Sequence, residues 1–262
     1  MRDLLSDLEN GTPQEQDPVR RAQSAFQRDM PKRFYKEVSV GEAPDGYLIQ
    51  LDGRELKTPS RGLFHLPSRE LAEAVAREWD AQETHIDPGA MPLTRILNTA
   101  LDGVVHVKDE VRQEILAYGG TDLLCYRADA PEGLVEAQNA KWNPFLDWME
   151  RTHGARFRLA EGVMHVEQPD ETKSILAGLV AARDSAIVLA ALHVATSLTG
   201  SLVMPLAILE GVAEPDEVWD ATHVDEDWNI SQWGEDAEAT RRRSVRKGEF
   251  DVACLAMRTS AI

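Results

Sequence analysis

The chain has 262 residues and carries 28 Lys and Arg against 45 Asp and Glu, which gives a formal net charge of −17. A hydrophobic fraction of 43% suits a folded protein with a sizeable core and is too high for a wholly disordered chain. This excess of acids argues against general binding to nucleic acid backbones or anionic lipid surfaces, both of which need Lys and Arg. We therefore expect no nucleic acid partner and no membrane insertion.

Residues 1–31 are polar and predict a flexible N-terminal arm. Residues 32–67 predict a small, mainly antiparallel β domain, whose boundary could extend to about residue 95. The segment KRFYKEVSV favours a strand, and the alternation of Tyr47, Ile49 and Leu51 favours a second one. Asp52-Gly53 is a strong signal for a two-residue hairpin turn after it.

From Ser68, a candidate N-cap, the apolar residues recur at helical spacing, and we expect about eight helices in residues 68–262. A helix over residues 108–118 should end at Gly119-Gly120, and Pro144 should begin a helix separate from the one over residues 132–141. A short β excursion is expected within residues 155–166. The predicted fold class is α+β, with a small N-terminal, mainly antiparallel β domain followed by a larger all-helical domain.

The two cysteines, Cys125 and Cys254, lie far apart and neither belongs to a CxxC pair. This usage predicts buried, reduced thiols rather than a disulfide framework or a structural metal site. The chain begins without the apolar segment of a secretory signal, and its most apolar stretch, residues 186–198, is too short to span a bilayer. These features indicate a soluble intracellular protein.

The net charge is concentrated in one part of the chain. Residues 184–240 contain no Lys or Arg, and the basic run Arg241, Arg242, Arg243, Arg246 and Lys247 follows at once. The twelve acids of this stretch are Asp184, Glu210, Glu214, Asp216, Glu217, Asp220, Asp225, Glu226, Asp227, Glu235, Asp236 and Glu238. A solvated helical face that keeps the protein soluble is one interpretation of this pattern.

The familiar catalytic signatures are missing from the sequence. It contains neither common phosphate-binding glycine motif, no G-x-S-x-G and no H-E-x-x-H, so we expect no catalytic residue and no cofactor. His223 with Asp225, Glu226 and Asp227 resembles a hard-metal site in composition, although the spacing matches no known loop. A metal-assisted hydrolase built on these residues stays open as an alternative.

Three tryptophans are interleaved with the acidic stretch: Trp219, Trp228 and Trp233. Large amphipathic rings among acids are typical of a protein–protein interaction surface. The alternative is that each ring anchors an acidic helix to the body of the protein. By contrast, Trp142, Phe145 and Trp148 follow one another at a spacing that indicates core.

Seven long segments are similar to one family, in the family's order, from about residue 32 to residue 249. The segments are KRFYKEVSV, GYLIQLDGRELKTPSR, LAEAVAREWDAQ, IDPGAMPLTRILNTALDGV, YGGTDLLCYRADAP, WNPFLDWME and DEDWNISQWGEDAEATRRR. They resemble the assembly chaperones of the F(1) sector of ATP synthase that act on its alpha subunit, in particular an alphaproteobacterial member. The resemblance implies an N-terminal β domain followed by a larger helical domain.

The resemblance also implies a binding protein rather than an enzyme. Such a chaperone holds the unassembled alpha subunit until it pairs with beta, without ATP or any cofactor. We expect a monomer in the bacterial cytoplasm, or in the mitochondrial matrix for a eukaryotic member. The family's important acid falls in the segment QWGEDAEA, at Glu235, Asp236 or Glu238, whereas Trp79 in the segment EWDAQ is expected to maintain the fold.

We therefore expect the client-facing patch to lie within residues 216–238. The predicted partner-binding residues are Glu235, Asp236, Glu238, Trp233, Trp228, Asp225, Glu226 and Asp227. Two alternatives remain open, namely a generic acidic interaction module with another client and the metal-assisted hydrolase.

Overall fold

The computed structural model describes residues 30–161 and 165–260, so the predicted arm over residues 1–31 lies almost wholly outside the described residues. The N-terminal part is a four-stranded antiparallel sheet. Its strands are β1 (Val38–Ala43), β2 (Gly46–Leu51), β3 (Arg54–Glu55) and β4 (His65–Leu66). Strand β2 is central, with β1 along one edge and both β3 and β4 along the other. The prediction of an antiparallel N-terminal sheet is confirmed.

The predicted hairpin turn is present between β2 and β3. Asp52 and Gly53 have φ values of 50° and 75°, and Leu51 lies opposite Arg54 across the ladder. Positive φ at both central residues matches the twist of the flanking strands, which is why Asp-Gly is favoured there. The return strand is only two residues long.

The first predicted strand begins later than expected, at Val38 rather than at residue 32. The preceding segment runs along the end of the first helix instead, where the backbone N–H of Arg33 donates to the carbonyl of Thr84 at 3.0 Å. The Asp52 carboxylate also accepts from the backbone N–H groups of Lys36 and Glu37 at 3.0 and 2.9 Å, and these bonds hold the pKa of Asp52 below its usual value. Hydrogen bonds to the turn and helix end thus replace a strand ladder.

Within the described residues, ten α-helices follow the four strands of the sheet. They are α1 (Arg69–Asp80), α2 (Pro92–Asp102), α3 (Lys108–Gly120), α4 (Glu132–His153), α5 (Asp170–Ala181), α6 (Ala186–Thr199), α7 (Val203–Leu209), α8 (Pro215–Thr222), α9 (Val224–Trp233) and α10 (Ala237–Ser260). As predicted, the Ser68 hydroxyl caps α1 by accepting from the N–H of Leu71 at 3.3 Å. Helix α9 was not predicted. A two-stranded parallel pair, β5 (Tyr126–Arg127) and β6 (Ala160–Glu161), matches the expected β excursion.

Helix α3 ends at Gly120, within the predicted glycine pair, but its C-cap is Thr121 rather than a glycine. Gly119 instead permits close packing of helices. A Cβ atom at this position would lie 2.7 Å from Cδ1 of Leu176 on α5 and 3.3 Å from Cδ2 of Leu202. The glycine is therefore required by the contact between elements rather than by the helix end.

The prediction that Pro144 begins a new helix is wrong, since it lies in the interior of the continuous helix α4. A proline there removes a backbone hydrogen bond and costs about 3 kcal/mol. Three large side chains of the same helix, Trp142, Phe145 and Met149, are buried in the core. Each contributes about 1.5–3 kcal/mol by leaving water, which more than offsets the proline.

Helix α6 lies at the centre of the helical part, in keeping with its apolar composition. Nine of its residues are buried, and it packs against α2, α3 and α10. The apolar core runs without a break from Ile49 in the sheet to Met257 in the last helix.

Cys125 and Cys254 are buried, and burial raises the pKa of each thiol to about 12. Across residues 30–161 and 165–260, no helix combines the length and apolar character needed to cross a bilayer.

Candidate functional site

The acidic stretch folds into three successive helix starts, those of α8, α9 and α10. Eight of its twelve acids lie at these starts: Glu214, Asp216, Glu217, Asp225, Glu226, Asp227, Asp236 and Glu238. Negative side chains near a helix N-terminus are stabilised by the helix dipole. More than half of the charge concentration therefore has a local structural cause.

Two of the predicted partner-binding acids tie α9 to other helices. Asp225 Oδ1 accepts from Gln138 Nε2 at 2.7 Å, which ties α9 to α4. Asp227 forms a two-point ion pair with the Arg243 guanidinium, including Nη2 to Oδ2 at 3.2 Å, which ties α9 to α10. Asp225 and Asp227 thus hold α9 in place.

Trp228 and Trp219 also anchor helices, as the alternative interpretation proposed. The Trp228 ring lies over Gly133 of α4, where an added Cβ atom would be only 2.5 Å from the ring atom Cη2. Trp219 is buried, with its ring centroid 5.2 Å from that of Phe250 on α10. These two rings hold α8 and α9 in position and do not form an exposed interaction surface.

His223 is buried between α8 and α9 and is held by its neighbours. Its Nδ1 lies 2.8 Å from the carbonyl oxygen of Trp219, and its Nε2 is 3.9 Å from Oε2 of Glu226. Burial, together with the charge of Arg243, lowers the pKa of His223 and so favours the neutral imidazole. Among the side chains in the described part of the chain, no group of three or more His, Cys, Asp and Glu is placed to hold a metal ion.

The turn between α9 and α10 presents an exposed aromatic ring. Trp233 is the last residue of α9, and 79% of its surface is exposed, the highest value among the large apolar residues in the described ranges. Gly234 follows with φ of 87° and ψ of 172°, a conformation that suits glycine and turns the chain sharply. The ring of Trp233 therefore extends into solvent rather than onto the body.

The three acids beside Trp233 differ in how they are engaged. Asp236 is the N-cap of α10, because its Oδ1 accepts from the backbone N–H of Ala239 at 2.7 Å. Glu238 Oε1 accepts from Arg242 Nη1 at 2.8 Å, one helical turn further along. Glu235 is exposed and makes neither a hydrogen bond nor an ion pair to any residue that the structure describes.

We call Trp233, Glu235, Asp236 and Glu238 the α9–α10 corner. It brings together four of the eight predicted partner-binding residues. Asp225, Asp227 and Trp228 contact α4 or α10, although the two acids are exposed, and Glu226 is partly covered beside His223. The corner combines a large exposed ring, two carboxylates that form weak internal bonds, and the Glu235 carboxylate, which pairs with no residue in the described ranges.

Trp79 lies away from this corner and packs on the core. Its backbone carbonyl accepts from the Tyr35 hydroxyl at 2.7 Å, and the two rings are 5.7 Å apart. The preceding residue, Glu78, is partly buried and accepts from the N–H groups of Leu93 and Thr94 at 2.7 and 2.8 Å, which fixes the start of α2. Sequence reasoning did not single out Glu78, because its partners are about 15 residues away.

Comparison with known proteins gives consistent matches. A family model described as ATP12 chaperone protein matches residues 32–150. The crystal structure of Atp12 from Paracoccus denitrificans has a TM-score of 0.80 and 36% identity, covering 88% of this chain and 98% of that one. The structure of a candidate chaperone from Agrobacterium tumefaciens has a TM-score of 0.83 and 45% identity, covering 99% and 97%. The mitochondrial protein atp12 of Schizosaccharomyces pombe is 27% identical over 215 residues, which are 78% of this chain and 74% of the relative.

The fold and these matches define a chaperone of ATP synthase assembly. The chain belongs to the ATP12 chaperone family. The family resemblance of the seven sequence segments is thereby confirmed, as is the arrangement of an antiparallel sheet followed by a larger helical part.

Proposed function

We propose that this chain binds the unassembled alpha subunit of the F(1) sector and prevents its aggregation until alpha pairs with beta. It acts without ATP, as a monomer in the bacterial cytoplasm. The observation that carries the proposal is the α9–α10 corner, where Trp233 is 79% exposed next to the free carboxylate of Glu235. Family membership supports the role in assembly, and the choice of alpha as client and of the corner as contact is our inference.

Trp233 supplies the anchor in this proposal. A large ring left in water is unfavourable, and its burial against a client recovers that free energy. Tryptophan is enriched among the few residues that dominate binding free energy at protein interfaces. An unassembled subunit exposes a partly apolar interface that aggregates unless it is covered.

The acids of the corner orient the client, and they differ in how much internal stabilisation each would lose on binding it. Glu235 can pair with a basic residue of the client without breaking an internal contact. Glu238 would give up an exposed pair with Arg242, which stabilises by about 0.3–0.5 kcal/mol. Asp236 would give up its N-cap bond, which contributes about 1 kcal/mol. We therefore expect Glu235 to contribute most to client contact and Asp236 least.

The remaining predicted residues support the corner indirectly. Asp225, Asp227 and Trp228 hold α9 against α4 and α10 and so position Trp233. The charges of Asp225, Asp227 and Glu226 add to the negative potential around the corner. This potential steers association more than it raises affinity. A modest affinity suits a chaperone that the true partner must displace.

The experiment is aggregation of purified, unassembled alpha followed by light scattering, with beta as the comparison and no nucleotide present. We expect the chain to suppress aggregation of alpha near equimolar amounts and to leave beta unaffected. A generic acidic interaction module would protect both subunits alike or neither. Either of those results would contradict the proposal.

A matched pair of variants tests the anchor. Trp233→Ala should lower capture of alpha by roughly tenfold or more, with the free energy of unfolding changed by less than about 0.5 kcal/mol. Phe34→Ala is the control, because Phe34 is 71% exposed and lies before β1, away from the corner. Equal capture by the two variants would exclude Trp233 as the anchor.

A further inference from the structure

A groove of about 490 Å³ lies between α2, α3, α6 and α10. Its walls are mostly apolar and are formed by Pro92, Ile96, Val104, Val111, Ala190 and Val194. Concave apolar sites of this size receive apolar ligands or side chains, with a few polar groups that fix orientation. Neither the core nor the α9–α10 corner accounts for this groove.

The rim of the groove carries one ion pair and one contact between a histidine and a carboxylate. Arg95 Nη2 is 2.7 Å from Oε1 of Glu249, and His193 Nε2 is 3.1 Å from Oε2 of Glu114. The rim thus has two carboxylates and one guanidinium, and with histidine counted as neutral its formal charge is negative. These side chains are between about one third and two thirds exposed, so their pairs contribute little and are easily exchanged.

Helix α10 connects the groove to the α9–α10 corner. Glu238, Arg242, Val245 and Glu249 are spaced by four, three and four residues, so they fall on one face of the helix. Val245 is 62% exposed on that face. At about 1.5 Å per residue, Glu249 on the rim lies roughly 16 Å along the helix from Glu238 at the corner.

We propose that the groove is a second contact point for the client, which inserts one aromatic or branched apolar side chain carried next to a basic residue. The apolar walls fit the side chain, and the negative rim fits the basic residue. The exposed face of α10 lets one client segment reach the groove from the corner. This inference rests on the proposed function, because the segment belongs to the alpha subunit.

Two groove variants and one control test it. Val111→Asp places a charge among the apolar walls, and Thr99→Trp fills the groove from an exposed position of α2. Val212→Asp is the control, because Val212 is 49% exposed and lies outside the groove. The measurement is the dissociation constant for purified alpha, with circular dichroism and melting temperature recorded for every variant.

We expect each groove variant to weaken binding by roughly tenfold or more, and Val212→Asp by less than about twofold. If wild type binds alpha and the groove variants bind like Val212→Asp, the groove inference alone is overturned. If wild type does not bind alpha, the proposed function fails first and the groove inference fails with it. Should Val111→Asp lose its fold, Thr99→Trp decides the outcome.

Discussion

At the residue scale, Asp122 and Glu235 show two opposite uses of a carboxylate. Asp122 is fully buried, and its oxygens accept from the N–H groups of Leu124, Leu202 and Val203 at 3.1, 2.8 and 3.1 Å. It thereby fixes the turn after α3 to the start of α7. Glu235 is exposed at the α9–α10 corner and available to a partner. One acid organises the core, and the other adds charge to the surface.

Burial raises the pKa of Asp122 to about 6, against the hydrogen bonds that lower it. Because its pKa is raised in the folded state, the carboxyl stabilises the fold at pH values below its pKa in the unfolded chain, which is about 4. This contribution to stability is lost as the pH rises through 6. The two-unit shift corresponds to about 3 kcal/mol. We expect the difference in free energy of unfolding between wild type and Asp122→Asn to shrink by up to about that amount from pH 4 to 7.5. Urea denaturation at several pH values measures it, and a constant difference would contradict this assignment.

At the element scale, α9 depends on its contacts with other helices. It has only ten residues, and isolated helices of that length are marginal in water. Its position comes from the Trp228 ring over Gly133, from the bond between Asp225 and Gln138, and from the ion pair of Asp227. These contacts set the direction in which the following turn presents Trp233.

Two glycine substitutions separate packing from helix propensity. Gly133 lies in the first turn of α4 under the Trp228 ring, whereas a Cβ atom added at Gly248 of α10 meets nothing within 4 Å. We expect Gly248→Ala to stabilise the protein by about 0.5–1 kcal/mol. Gly133→Ala should destabilise it by about 1–2 kcal/mol and weaken alpha binding, because the ring and α9 must shift. Chemical denaturation measures both changes, and stabilisation by Gly133→Ala would contradict the packing of α9.

The sequence predicts local features of this fold well and distant contacts poorly. The Asp52-Gly53 turn, the Ser68 cap and the apolar helix α6 each depend on neighbouring residues, and all three are present. Gly119 and Pro144 were misinterpreted because packing against other elements decides their roles.

The same limit applies to the candidate site. The acidic stretch and the family resemblance indicated a candidate region, but they could not separate exposed acids from those that already have partners. The partners of Asp225 and Asp227 lie 87 and 16 residues away in sequence, at Gln138 and Arg243. Only the three-dimensional arrangement shows that Glu235 is exposed and has no such partner within residues 30–161 and 165–260.

At the scale of the whole molecule, the acids behind the net charge of −17 have two roles. Some stabilise the fold, and the others give the surface a negative potential. Acids at helix starts and in ion pairs are partly neutralised by the dipole or by a nearby base. The charges that remain still create a negative potential, concentrated around residues 184–240. Such a potential raises the rate of encounter with a basic surface and is screened by salt.

We therefore expect the association rate constant with alpha to fall by roughly tenfold between low and high ionic strength. The dissociation rate constant should change much less, because apolar contacts at Trp233 and in the groove are insensitive to screening. Stopped-flow measurements over a series of salt concentrations give both constants. An association rate independent of salt would show that the acidic stretch does not steer the client.

In the proposed complex, Glu235 at the α9–α10 corner contacts the alpha subunit. The most direct measurement is the dissociation constant for alpha of Glu235→Lys compared with Glu83→Lys, an exposed acid after α1. Both variants change the net charge equally, so long-range effects are matched. We predict that Glu235→Lys weakens binding by roughly tenfold or more and Glu83→Lys by less than about twofold, with both folds intact. Equal dissociation constants for the two variants would contradict the claim.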